Sequence, residues 1–182
     1  MSTEDLSDFL DPTRAIREAK IRDFMKVADF GAGSGFFTRA AARAVGVGGV
    51  VYAIDIHRDM LDRLSNIAPL ENLSNIEYVQ GDLETPHGSA LPDGTLDAVI
   101  CANFLFQTEN HGGVFEEAWR ILRKGGRLVV IDWEDSFNNM GPHKDHIVSK
   151  VECLKLAQSG GFSLIEEIPA GSFHWGVILK KQ

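Results

Sequence analysis

The sequence predicts an α/β fold wound on a mainly parallel sheet. Apolar runs of strand length alternate with helical stretches through most of the 182 residues, which is the pattern of repeated βα units. The first unit is joined by a glycine-rich turn, Gly31-Ala32-Gly33-Ser34-Gly35, that runs straight into an Ala-rich helical stretch. Near the end, two alternating runs, 162–168 and 172–180, follow one another across Pro169-Ala170-Gly171, and so short a connection makes them antiparallel neighbours.

Taken in order, residues 1–11 are polar and acidic and are expected to be mobile. Pro12 suits the first turn of a helix over about 12–24, with Asp11 as its cap and Ile16, Ile21 and Phe24 as an uneven apolar face. Val27–Phe30 is the first strand, and helix 36–45 follows the glycine turn. Val50–Asp55 is a continuous apolar run ending in a carboxylate, the signature of a strand buried on both faces. Helix 57–68 places Met60, Leu61, Leu64, Ile67 and Ala68 at helical spacing, a core stripe. Asn75–Gln80 is the third strand and closes at Gly81-Asp82-Leu83. Pro86, Gly88, Pro92 and Gly94 mark a loop over 84–95. Ala98–Ala102 is the fourth strand and opens onto Asn103-Phe104-Leu105-Phe106-Gln107. Helix 110–123 carries Val114, Phe115, Ala118, Trp119 and Leu122, and Lys124-Gly125-Gly126 is expected to stop it before the fifth strand, Arg127–Trp133. Ile147, Val151, Leu154 and Ala157 define a helix stopped by Gly160-Gly161. In the last strand Phe173, Trp175, Val177 and Leu179 alternate against His174, Gly176, Ile178 and Lys180.

The glycine turn carries chemical information in its spacing. A dinucleotide loop reads G-x-G-x-x-G and rests a pyrophosphate on the following helix N-terminus. Here the third glycine comes one residue early, and Asp29 stands two residues before the first. A carboxylate at the mouth would repel a phosphate and attract an ammonium. The pattern suits a nucleoside with a cationic amino-acid tail, with the glycines letting it lie against the backbone. Asp55, about twenty residues beyond Gly35, ends the second strand where a carboxylate accepts hydrogen bonds from ribose hydroxyls. At Asp29-x-Gly31-x-Gly33-x-Gly35 the chain resembles the class I methyltransferases that use S-adenosylmethionine.

That resemblance covers about residues 27–180 and gains specificity from its ordered motifs: the loop, Asp55, Gly81-Asp82-Leu83, Leu91-Pro92-Asp93-Gly94-Thr95-Leu96-Asp97, and Leu122-Arg123-Lys124-Gly125-Gly126-Arg127-Leu128. Lys124 stands where the family usually has proline. The resemblance implies a Rossmann-like α/β sheet of seven strands in the order 3-2-1-4-5-7-6, helices on both faces and the last strand antiparallel. It implies one domain over 1–182, a tail and helix over 1–26 preceding a catalytic core over 27–180. S-Adenosylmethionine would be held by Asp29, Gly31, Ala32 and Gly33 at the loop and by Asp55 and Ile56 at the ribose. Asp82 and Leu83 would meet the adenine, and Ala102 and Asn103 the ammonium and the acceptor side. Gly141-Pro142-His143-Lys144-Asp145-His146 is similar to a stretch of the quinone-biosynthesis branch, whose acceptors are small molecules.

Composition bounds the alternatives. A formal charge of −8 argues against bulk nucleic acid and anionic membranes as partners. The dense basic cluster Arg120, Arg123, Lys124 and Arg127 reads as helix-terminal charge. No apolar run approaches a membrane span and the first residues are acidic, so the expected location is the cytoplasm. Cys101 and Cys153 are expected to be reduced core residues. Methyl transfer needs alignment more than acid–base machinery, so no triad or metal cluster is expected; the candidate orienting groups are Gln107, Asp132, Glu134, His143 and His146. The competing readings are a non-catalytic module on the same fold, which binds cofactor or a partner, and an NAD-dependent oxidoreductase.

Overall fold

The computed structural model describes residues 10–136 and 141–182. Seven strands, β1 (Lys26–Phe30), β2 (Val50–Asp55), β3 (Ile76–Gln80), β4 (Leu96–Ala102), β5 (Leu122–Trp133), β6 (Phe162–Glu167) and β7 (His174–Lys181), form one sheet in the order β3-β2-β1-β4-β5-β7-β6. β1 to β5 pair in parallel, and β7 runs antiparallel to both of its neighbours. This is the sheet that the family resemblance implies. The expectation about residues 1–11 falls mainly on residues outside those described.

Helices α1 (Pro12–Glu18), α2 (Phe36–Val45) and α3 (Arg58–Ile67) pack on one face, and α4 (His111–Ile121) and α5 (Lys150–Ser159) on the other. Alternate residues of the central strands feed the two cores. Val27, Ala53, Ile100 and Ile131 face α1–α3, whereas Ala28, Ile54, Val99 and Val130 face α4 and α5. Cys101 and Cys153 are free thiols buried in the second core, and burial pushes both thiols up, Cys153 to about 12.

Several boundaries differ from the sequence pattern for identifiable reasons. Asp11 caps α1 as expected, its carboxylate accepting from the Thr13 and Arg14 N–H groups, but the helix ends at Glu18 rather than near 24. Lys20 adopts a left-handed φ of 57°, so the chain turns there; Ile21 still reaches the core, and Phe24 is exposed. α4 ends at Ile121, because Leu122 is already extended and pairs with Leu96. Lys124-Gly125-Gly126 is therefore an irregularity inside β5, with Gly125 at φ 76°, and not a helix cap. α5 starts after Ile147 under a Ser149 cap, and it buries Cys153 and Ala157 while Val151 faces outward. β7 alternates in side-chain direction, but Trp175 to Leu179 are all buried because both faces of this inner strand are covered.

Two members of the basic cluster are paired with carboxylates, and two stand at helix ends, Arg120 in the last turn of α4 and Arg127 at the end of α1. Arg120 pairs with Glu117 and Asp93, Arg123 with Asp97, and Arg127 donates to the Ala19 carbonyl.

Candidate functional site

The site is built at the carboxyl edge of β1 to β4, where the glycine turn leaves the sheet. The N–H groups of Gly31 and Ala32 both donate to the Ile54 carbonyl, at 2.9 and 3.0 Å, which stitches the loop to β2. Gly31, Gly33 and Gly35 all have positive φ, but they serve different ends. A Cβ at Gly35 would stand 2.3 Å from Leu64 Cδ1, and one at Gly31 would strike the Phe104 ring. Only at Gly33 is the nearest atom an ordinary contact, the Gly31 carbonyl oxygen at 3.8 Å. Gly35 therefore serves packing, Gly31 is held to glycine by the Phe104 ring, and Gly33 is the one of the three with room beside it.

Asp55 is fixed by that same backbone. Its Oδ2 accepts from the Gly33 N–H at 2.9 Å and its Oδ1 from the His57 N–H at 2.9 Å. The His57 ring Nδ1 also stands 3.3 Å from Oδ1, so of about four acceptor positions one is left free and one is shared only with an exposed imidazole. The helix cap at this point is His57 rather than Asp55. Asp82 accepts the Glu84 N–H at 3.0 Å and so makes its own turn, while Leu83 beside it is buried.

Asp29 lies deeper. It is 2% exposed, and its carboxylate accepts the Thr38 hydroxyl at 2.5 Å. Burial pushes its pKa up to about 7, against the pull of Thr38. A cation arriving beside it would favour the ionised form. Asn103, at the end of β4, holds a φ of 53°; its N–H donates to the Ile131 carbonyl at 2.9 Å and its carbonyl accepts from Gln107 Nε2 at 2.7 Å.

These residues meet in two adjoining cavities of about 440 and 270 Å3, which share Gly31, Gly33 and Gln107. The larger takes in Asp29, Ala32, Ala102 and Asn103, and the smaller Asp55, Ile56, Asp82 and Leu83. All ten sequence-predicted residues thus line one crevice. Of the five candidate orienting groups only Gln107 does so. Asp132 is buried elsewhere, accepting the Leu105 and Trp133 N–H groups, and burial pushes it up to about 6. His146 lines a separate cavity with His111, and Glu134 and His143 are exposed. No group of three or more metal-ligating side chains occurs among the described residues.

Sequence reasoning missed Thr38 and the apolar wall of Leu10, Pro12, Phe36 and Phe37 in the larger cavity. Thr38 was detectable in principle, as a hydroxyl in the first turn of the helix that follows the loop. The wall was not, since it joins residues from two separate helix starts.

The donor set fits an adenosine-type nucleoside with a cationic tail: on Asp55 one free acceptor position and one shared with an exposed imidazole, room beside Gly33, and a buried carboxylate at Asp29. The strand order and the site at the carboxyl edge define a class I methyltransferase fold. The methyltransferase domain family matches residues 28–130, and the chain belongs to it; S-adenosylmethionine is the cofactor of that family.

The chain is 29% identical over 156 residues to a ubiquinone/menaquinone biosynthesis C-methyltransferase from Cronobacter sakazakii, covering 81% of this chain and 60% of that protein. It is 32% identical over 117 residues to the protein of that name from Pasteurella multocida, covering 62% of this chain and 41% of that one. The chain thus spans about 60% or less of the length of these relatives. Among solved structures, an S-adenosylmethionine-dependent methyltransferase from Aquifex aeolicus superposes with a TM-score of 0.87 at 24% identity, over 100% of this chain and 94% of that one. No helix among the described residues is long and apolar enough to cross a membrane.

Proposed function

We propose that this chain transfers a methyl group from S-adenosylmethionine to a small-molecule acceptor. The observation that carries the reading is the convergence of four strand ends on two cavities joined at Gly31, Gly33 and Gln107. When bound, the cofactor supplies a methyl group already activated by a sulfonium. The chain's own residues then have to hold, orient and dry the reactants. Asp55 takes the ribose hydroxyls, Asp82 and the Leu83 backbone take the base, and Asp29 faces the ammonium. Ala102 and Asn103 close the tail end. Asp132 acts indirectly, since its two backbone hydrogen bonds hold the segment after β4 against the end of β5.

The named C-methyltransferase relatives support a small organic acceptor, with carbon the first atom to test. The net charge of −8 and the carboxylate partners of Arg120 and Arg123 support the exclusion of bulk nucleic acid. Calorimetry tests the first half of the reading: S-adenosylhomocysteine should bind, and NADH should not. Incubation with methyl-labelled cofactor tests the second half. Label should move into the small-molecule fraction of a metabolite extract, and label on added RNA or DNA would contradict the reading.

A further inference from the structure

We infer that the groove between α1 and α2 is a second binding site, for a free small molecule that joins an apolar body to one anionic group, a carboxylate, sulfonate or phosphate. The groove shares no lining residue with the crevice, and the inference does not depend on the methyl-transfer reading.

The groove exists because α1 is short. That helix stops at Glu18 and the chain turns at Lys20, whereas α2 runs on to Val45. The later part of α2 therefore has a turn beside it instead of a helix. Ala40 and Ala44, four residues apart and so on one face, fill little of the space. A hollow of about 630 Å3 is left, larger than either cavity of the crevice. Its floor is apolar, with Ile16 and Ile21 on one side and Ala40 and Ala44 on the other.

The rim is cationic. Arg17, Lys20, Arg22 and Arg43 line it, against one carboxylate, Asp23. This is a departure from a chain whose net charge is −8, and it gathers four of the 18 lysines and arginines in one hollow. Their partners hold them loosely. Arg22 is exposed and makes no ion pair among the described residues. Arg17 and Lys20 have only exposed pairs, with Glu18 at 3.8 Å and Glu166 at 3.4 Å, which contribute little in water. Arg43 shares Glu71 with Arg39, so one carboxylate serves two guanidinium groups. An anion entering the groove breaks no buried pair.

Floor and rim together define the occupant. An inorganic anion would leave the apolar floor in water, and a neutral apolar molecule would leave the cations unused. An anionic amphiphile meets both, its body on the floor and its head group in a guanidinium fork. The apolar residues lie at the bottom of a hollow, and the rest of the chain repels an anionic bilayer, so the ligand is a free molecule and not a membrane surface.

The test titrates the full chain, by fluorescence and NMR, with two probes that differ by one charge: 1-anilinonaphthalene-8-sulfonate and the neutral N-phenyl-1-naphthylamine. Wild type should bind the sulfonate at least about tenfold more tightly, the worth of one charge-assisted hydrogen bond. Amide shifts should centre on residues 13–23 and 40–44, and S-adenosylhomocysteine should not displace the probe. Arg22→Gln should weaken the sulfonate about fivefold or more and leave the neutral compound unchanged. Ala44→Leu fills the hollow with a good helix former and should weaken both probes several-fold. The inference is overturned if the sulfonate does not bind or shows no advantage over the neutral compound. It is overturned equally if the shifts map to the crevice, if S-adenosylhomocysteine displaces the sulfonate, or if both variants bind it as wild type does. Pelleting with vesicles of phosphatidylglycerol and phosphatidylcholine that is lost in Arg22→Gln would make this surface a membrane contact, and tighter binding of polyglutamate than of the sulfonate would make it a protein contact; either result replaces the inference.

Discussion

Phe104 lays its ring against the backbone of Gly31 so closely that a Cβ at Gly31 would stand 2.2 Å from Phe104 Cδ2. The residue after β4 that borders the smaller cavity thus sets what the glycine turn after β1 can be. The φ of 68° at Gly31 excludes most other residues independently of the clash.

Gly31→Ala should therefore destabilise the fold by about 2–4 kcal/mol, combining left-handed strain with overpacking. Affinity for S-adenosylhomocysteine should fall at least about tenfold, because the loop moves. In a double-mutant cycle with Phe104→Ala, urea melts should show a coupling of about 1 kcal/mol or more. Additive effects would mean that the ring and the loop act independently.

Asp55→Ala should weaken S-adenosylhomocysteine by at least about tenfold, since charge-assisted hydrogen bonds to hydroxyls contribute about 1.5–3 kcal/mol each. The carboxylate also satisfies the backbone N–H groups of Gly33 and His57, so the free protein should lose about 1–3 kcal/mol of stability as well. Calorimetry and thermal melts read the two effects separately. Unchanged affinity in a folded variant would place the ribose elsewhere.

Asp29 makes the ligand-free protein sensitive to pH. Its folded pKa of about 7 lies above the unfolded value of 3.8, so the native state holds a proton that the unfolded chain releases. Stability from this group is full below about pH 4 and is lost as pH rises through 7. Asp132, raised to about 6, adds the same slope at lower pH. Asp29→Asn should flatten the decline of the melting temperature between pH 5.5 and 8.5 and should bind S-adenosylhomocysteine more weakly. If binding ionises Asp29, wild type should release about half a proton at pH 7, visible as a buffer-dependent heat in calorimetry. Asp29→Asn should release none.

Glu117 behaves in the opposite sense. Burial works against its ionisation, but hydrogen bonds from Arg120 and Ser89 outweigh burial and hold its pKa at about 2. This network ties the loop of residues 84–95 to α4. Its contribution is full above the ordinary carboxylate value of 4.5 and is lost as pH falls toward 2. Glu117→Gln should cost about 2–4 kcal/mol at pH 7 in urea melts, with the difference from wild type shrinking at pH 3.

How much of this was legible in the sequence follows from the range of the interactions involved. Strand β2 and helix α2 were readable to the residue, because each is bounded by local chemistry: glycines on one side, a carboxylate or a glycine on the other. Each of the ten predicted site residues lies at or within three residues of a strand's carboxyl end, so a correct sheet order was enough to bring them together. The end of α4 was misread because Leu122 has two claims on it, the helical stripe and the pairing with Leu96, and the pairing is long-range. The burial of both faces of β7 was hidden for a similar reason, since it depends on which strands flank it. The pairing of Phe104 with Gly31 and the apolar wall of the larger cavity join segments whose proximity no local pattern encodes.

The insertion of β7 between β5 and β6 orders events on the ribosome. β6 leaves the exit tunnel first but cannot take its native place, since its only partner in the sheet, β7, comes later. Until residues 174–181 emerge, β5 presents an open row of N–H and C=O groups along Arg127–Trp133, beside apolar side chains that Trp175, Val177 and Leu179 later cover. A nascent chain halted before that strand would carry the glycine turn and its three acids in place, yet would expose a template for pairing with another chain. Solubility during synthesis thus depends on a strand that contributes no residue to the crevice.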